Sequence, residues 1–252
     1  MNTNISFRSG NPALNAKVFE SFTKNYKEQM TLNGTVNKTG IGLLILLMSA
    51  CITFNYQIVN LIWFGIIGGL ILALTTIFKK EWSPVTVPLY AFLEGIALGG
   101  ISSIYDSMYT GIAQQAVFLT FGVFCSLLFA YKSKIINPTE NFKLGLFAAT
   151  AGIGVVYLVA ILYGIFSGGS TFSFMQVGGP GQPAPLISIG FSFFVVIIAA
   201  LNLVLDFDYI ENASGKGLPK YMEWYAAFGL LVTLVWLYLE ILRLLAKLNS
   251  RR

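Results

Sequence analysis

Seven runs of mostly apolar residues dominate the chain, near 40–56, 58–78, 86–104, 112–131, 143–166, 186–210 and 222–247. Each approaches the roughly 20 residues that a helix needs to cross the hydrocarbon core of a bilayer. In that solvent the backbone must satisfy its own hydrogen bonds, which leaves only helices or closed barrels. The runs are continuous and lack the two-residue alternation of barrel strands. The expected fold is therefore all-α: an integral membrane protein built as a bundle of seven transmembrane helices. Composition agrees, because only 11% of the 252 residues are charged, against about 25% in soluble domains. The expected organisation is a polar head over 1–38 and a transmembrane domain over 39–252, with no cleavable signal peptide.

Within the head, Leu14, Val18, Phe19 and Phe22 recur at helical spacing with lysines between them. That pattern predicts an amphipathic helix from about Pro12 to Met30, lying on the membrane surface. Basic residues set the orientation. Arg8, Lys17, Lys24, Lys27 and Lys38 lie in the head, Lys79 and Lys80 after the second run, Lys132 and Lys134 after the fourth, and Lys216 and Lys220 after the sixth. The three intervening connections hold no Lys or Arg. This alternation predicts a cytoplasmic amino terminus. The tail breaks the pattern, since an odd number of crossings leaves Arg243, Lys247, Arg251 and Arg252 on the far side. Either the last run crosses fully and tolerates them, or it re-enters and returns. Its length favours full crossing.

The connection 167–185 is uncharged and broken by Gly178-Gly179-Pro180-Gly181-Gln182-Pro183, so it is read as an external, non-helical cap. Ala91, Gly95 and Gly99 recur every four residues, and Gly65 and Gly69 share that spacing, which lets helix backbones approach closely in lipid.

The chain contains no histidine. That removes His metal sites, His general bases and His-based pH switching. Proton sensing near neutral pH then falls to carboxylates. Cys51 and Cys125 lie in different runs and are expected as buried, inert packing. The net charge of +5 points to anionic lipid rather than nucleic acid, since the chain spans a membrane.

Two acids sit inside apolar runs. Asp206 ends the stretch from Leu186 to Leu205, and Glu240 interrupts the stretch from Tyr225 to Leu248. Charge at membrane depth costs several kcal/mol, so such residues mark functional sites by default. Asp208 lies two residues on, about 200° around a helix from Asp206, and reads as an interfacial acid. Asn202 shares the Asp206 face at four residues' spacing. Glu240 has two readings. It pairs with Arg243 three residues on, or it meets Asp206 across the last two spans. Glu94 is a third embedded acid, read either as a hydrogen-bonding group or as part of the same polar path. Lys79 and Lys80 read as snorkelling anchors, though one of the two could reach Asp206. Two carboxyls in contact share one proton, and losing it leaves an oxygen site suited to a hard cation such as Ca²⁺.

The segments Leu205-Asp206-Phe207-Asp208-Tyr209-Ile210 and Leu237-Tyr238-Leu239-Glu240-Ile241-Leu242 resemble the sixth and seventh helices of the Bax inhibitor-1 family. Ser9-Gly10-Asn11-Pro12 and Met30-Thr31-Leu32-Asn33-Gly34-Thr35-Val36 look like its bacterial YccA/YetJ-like branch. The resemblance covers nearly the whole chain. It implies a seven-helix bundle with the last helix central, and a pH-sensitive calcium leak sensed by paired acids on helices six and seven. Asp206 matches the first acid. Glu240 falls at the second, which is typically aspartate. Lys79 lies where relatives carry an arginine. The expected function is a pH-regulated Ca²⁺ leak of a bacterial cytoplasmic membrane, with no enzymatic activity and no cofactor beyond Ca²⁺ as the transported ion. The alternative is a non-conducting protein that modulates a membrane protease or a stress response.

Overall fold

The computed structural model describes residues 28–169, 172–179 and 181–251. It is all-helical, with no strand among the described residues. Seven long helices follow in order: α1 Leu32–Asn55, α2 Ile62–Phe78, α3 Ser83–Met108, α4 Ile112–Lys132, α5 Glu140–Phe166, α6 Leu186–Ser214 and α7 Met222–Asn249. All seven are long and apolar enough to cross a membrane. The expected spans match them to within a few residues, apart from the start of α1.

That start is at Leu32, inside the segment read as the polar head. Thr31 explains it. Its side chain accepts from Gly34 N at 3.0 Å, satisfying one of the amide donors that a helix start leaves open. Just ahead, Met30 N donates to Leu218 O at 2.7 Å, and Gln29 forms an antiparallel bridge with Pro219. Residues 28–30 are therefore extended, not the end of the amphipathic helix expected up to Met30. The rest of that helix lies outside the described residues. Glu223, at the start of α7, accepts from both the backbone and the hydroxyl of Thr31 at 2.9 Å and also pairs with Lys38. Nearby, Glu28 forms an ion pair with exposed Lys220 at 2.9 Å; this hydrogen bond and the carboxylate's charge hold the Lys220 ammonium above its ordinary value.

The chain divides into two compact units. The first takes the described residues up to Ile104 together with Leu205–Thr233; the second takes Tyr105–Val204 with Leu234–Arg252. Helices α6 and α7 each contribute to both. The last helix is the most enclosed, with 61% of its central window buried, against 17% for the span through α2 and 11% for α5. In a bilayer the helices with the least burial expose their side chains to lipid, and the uncovered residues fit this: Trp63, Phe64, Phe118, Phe129 and Phe166 are all exposed. Cys51 and Cys125 are exposed as well, contrary to the expectation of buried thiols, and neither forms a disulfide.

In the first unit the small-residue stripes are where helices touch. A Cβ on Gly65 would lie 2.7 Å from the backbone N of Ala97 and the backbone O of Leu93. On the other side of α3, a Cβ on Gly95 would overlap the Ser49 hydroxyl and the Leu46 carbonyl. Close backbone approach, with no ligand role, accounts for the spacing. The tight turn between α1 and α2 is closed by Gln57, which adopts a left-handed φ of 50°.

In the second unit the described residues of the connection 167–185 are non-helical, as expected, and are tied down. Ser188 Oγ donates to Gln176 O at 2.6 Å, and Phe172 stacks on Tyr163 with ring centroids 4.5 Å apart. Arg251 Nη1 donates to Ala184 O at 3.0 Å, and Ser250 Oγ accepts from Ala184 N at 2.9 Å. The last run is one unbroken helix of 28 residues, long and apolar enough for the full crossing that its length favours.

Candidate functional site

Glu240, Arg243 and Lys247 follow at three- and four-residue steps, so they share one face of α7. Glu240 is 1% exposed. Its Oε1 accepts from Arg243 Nη1 at 2.6 Å and from the Tyr157 hydroxyl of α5 at 2.7 Å. The same Arg243 nitrogen donates to the Tyr157 oxygen at 3.0 Å, and the guanidinium lies 5.5 Å from the centroid of that ring. Acid, base and phenol thus form a closed triangle. The local pairing that the sequence offered for Glu240 is the one adopted. The other carboxylate oxygen, Oε2, is buried without a hydrogen-bond partner among the described residues.

One turn further along α7, Lys247 is fully buried. Its ammonium donates to Ser188 O at 3.1 Å and to Ser192 Oγ at 2.8 Å, both near the start of α6. Three basic residues of the tail have partners in this unit. Arg243 is held by Glu240, Lys247 by two serines of α6, and Arg251 by a backbone carbonyl. A cavity of about 410 Å³ opens beside this face, lined by Tyr105, Tyr157, Phe191, Met175, Arg243 and Lys247 among others.

Asp206 is fully buried and belongs to the first unit, eight residues before the end of α6. Asn202 belongs to the second. Its side-chain amide donates at 2.8 Å to Thr150 Oγ1 on α5 and at 2.8 Å to Ile198 O. Both amide donors are thus used on α5 and on its own helix, while the side-chain oxygen of Asn202 is buried without a partner among the described residues. Asp208 is half-buried, between the buried Phe207 and Tyr209. Glu94 is half-buried and lies against Gly69 of α2, where an added Cβ would come within 2.8 Å of its Oε2. Lys79 is exposed, as an interfacial anchor would be. Its neighbour Lys80 is the one turned inward, with its ammonium 6.0 Å from the centroid of the Tyr225 ring.

No group of three or more acidic or cysteine side chains is placed to hold a metal among the described residues. At Glu240 the Oε1 atom is taken by Arg243 and Tyr157, and Oε2 is the oxygen left without a hydrogen-bond partner among the described residues.

Sequence reasoning missed Tyr157, Lys247, Ser188 and Ser192. A signal for Lys247 was present: it follows Glu240 by seven residues on the same helical face, and it stands where the charge alternation fails. Nothing in the sequence marked Tyr157, a single tyrosine in an apolar span whose role depends on which helix packs against α7.

Neither a curated protein nor a solved structure matches the chain. The sequence model described as Bax inhibitor 1 like matches residues 11–250. With the seven spans and the buried acids of α6 and α7 in place, that match establishes the identification: the chain belongs to the Bax inhibitor 1-like family.

Proposed function

We propose that this protein is a proton-regulated cation leak of a bacterial cytoplasmic membrane, with Ca²⁺ as the transported ion and a cytoplasmic amino terminus. Asp206 and Glu240 are the groups whose protonation sets its state. The observation that carries the reading is their burial on the last two helices, 0% and 1% exposed.

A carboxyl in such a place cannot change charge without a change in its surroundings. At Glu240 the consequence is concrete. Adding a proton removes the negative partner of Arg243 and leaves a guanidinium against Tyr157 alone, which favours an arrangement in which Arg243 moves towards water. At Asp206 the same change occurs in the other unit. Two titrations acting on α6 and α7 give a physical route from proton concentration to helix arrangement. This is transport and gating, with no bond chemistry, and it calls for no cofactor.

Calcium flux into proteoliposomes, followed on either side of neutrality, tests the reading. The wild-type protein should conduct with a pH-dependent rate. Asp206→Asn and Glu240→Gln should each blunt that dependence. Flux with an unchanged pH response in both variants sinks the sensor assignment. No flux from the wild-type protein replaces the leak with the non-conducting modulator of a membrane protease or stress response.

A further inference from the structure

The buried charge on the α7 face of the second unit does not balance. One carboxylate, Glu240, faces two cations, Arg243 and Lys247, and Glu240 is already hydrogen-bonded to Arg243. The Lys247 partners are a carbonyl and a hydroxyl, both neutral. A buried ammonium without a paired anion among the described residues is costly.

Donors are also left over. An ammonium has three and a guanidinium five. Lys247 uses two, on Ser188 and Ser192, and Arg243 uses only Nη1, on Glu240 and Tyr157. The remaining ammonium N–H and the Nε and Nη2 groups make no hydrogen bond to a described residue. Both side chains line the 410 Å³ cavity, whose other walls are aromatic and aliphatic: Phe191, Met175, Val177 and Ile161. That volume lies within the roughly 300–1,000 Å³ of small-molecule sites, which are mostly apolar with a few convergent polar groups.

We propose that this cavity binds an amphiphile with one acidic head, a carboxylate or a phosphate. The head sits against the free edge of Arg243, favoured by the further charge of Lys247, which is fully buried in the cavity wall, and the apolar body lies along Phe191, Met175 and Val177. A cation is excluded by the two positive side chains. A neutral guest would leave the excess charge uncompensated, and a bare inorganic anion would leave the apolar walls unfilled. Binding here does not rest on the leak reading, because it is measured without flux.

The test uses the purified full chain in a neutral maltoside detergent, with binding followed by titration and by native mass spectrometry. Three probes are compared: decanoate as a free acid, phosphatidate as a membrane lipid and inorganic phosphate as a head without a body. Saturable binding of one decanoate or one phosphatidate per chain is expected, and the tighter of the two identifies the source. Lys247→Met should weaken it by about tenfold or more, the loss of one charge-assisted contact, and Lys247→Arg should retain most of it. Val177→Trp fills the cavity from the connecting loop with every charge kept, so it should also abolish binding even if Lys247→Met fails to fold. The proposal is overturned if neither amphiphile saturates on the wild-type chain. It is equally overturned if Val177→Trp and any folded Lys247→Met bind as well as wild type, or if inorganic phosphate binds as tightly as decanoate.

Discussion

Gly95 and Gly152 are the same residue under opposite constraints. Gly95 lies where α3 meets α1, and any side chain there would overlap Ser49 and the Leu46 carbonyl. The obstacle includes backbone, which cannot rotate away, so α1 and α3 would have to separate. Gly152 on α5 has nothing within 4 Å of an added Cβ and faces outward. Gly95→Ala should therefore destabilise the protein by about 1 to 3 kcal/mol through overpacking. Gly152→Ala should leave it unchanged or add up to about 1 kcal/mol, because alanine loses less conformational freedom in a helix. Thermal unfolding in detergent would separate the two, and equal effects would refute the account of the stripe. This contrast was partly legible beforehand. The four-residue spacing of Ala91, Gly95 and Gly99 singled out the packed face, but Ala148 and Gly152 share that spacing as a pair, so spacing alone did not mark Gly152 as open.

At the scale of the element, α7 organises the second unit by presenting Glu240, Arg243 and Lys247 on one face. The Glu240–Arg243 pair is buried enough that breaking it should cost more than removing it. Arg243→Gln leaves Glu240 with Tyr157 as its remaining hydrogen-bond partner and no directly paired cation, a loss on the order of 2 to 3 kcal/mol. Adding Glu240→Gln to that variant takes away the stranded charge, so the double variant should be more stable than the single one. Unfolding measured for both singles and the double gives the coupling directly. A double variant less stable than Arg243→Gln would show that the ion pair is not what holds this face. The helix itself was easy to read, because an apolar run of that length has few alternatives in a bilayer. The partners of its polar face were not. Helical spacing placed Arg243 beside Glu240, but spacing within one helix cannot say that Tyr157 of α5 or Ser192 of α6 lies opposite. Non-local packing supplied those contacts. The exposed cysteines were misread for a related reason: in a membrane protein an apolar neighbourhood is as easily lipid as core.

For the whole molecule, the decisive sequence signal was the alternation of basic connections, and its one exception is the basic end of α7. Arg243, Lys247 and Arg251 are bound to Glu240, to two serines and to a carbonyl, so the basic end of α7 is a structural feature of the second unit. It does not act as a loose topogenic tail. The predicted orientation then stands on the remaining connections, and it can be read chemically. Cys51 and Cys125 are exposed on apolar helices and in no disulfide, so Cys51→Ala and Cys125→Ala should give a tolerant background without thiols. On it, single cysteines replace Ser167, beyond α5, or Gly215, between α6 and α7. A membrane-impermeant maleimide added to intact spheroplasts should label Ser167→Cys, and should label Gly215→Cys only after permeabilisation. The reverse pattern would place the amino terminus outside. Labelling of both sites from one side would break the odd-crossing plan, because α6 would then enter and leave on the same face.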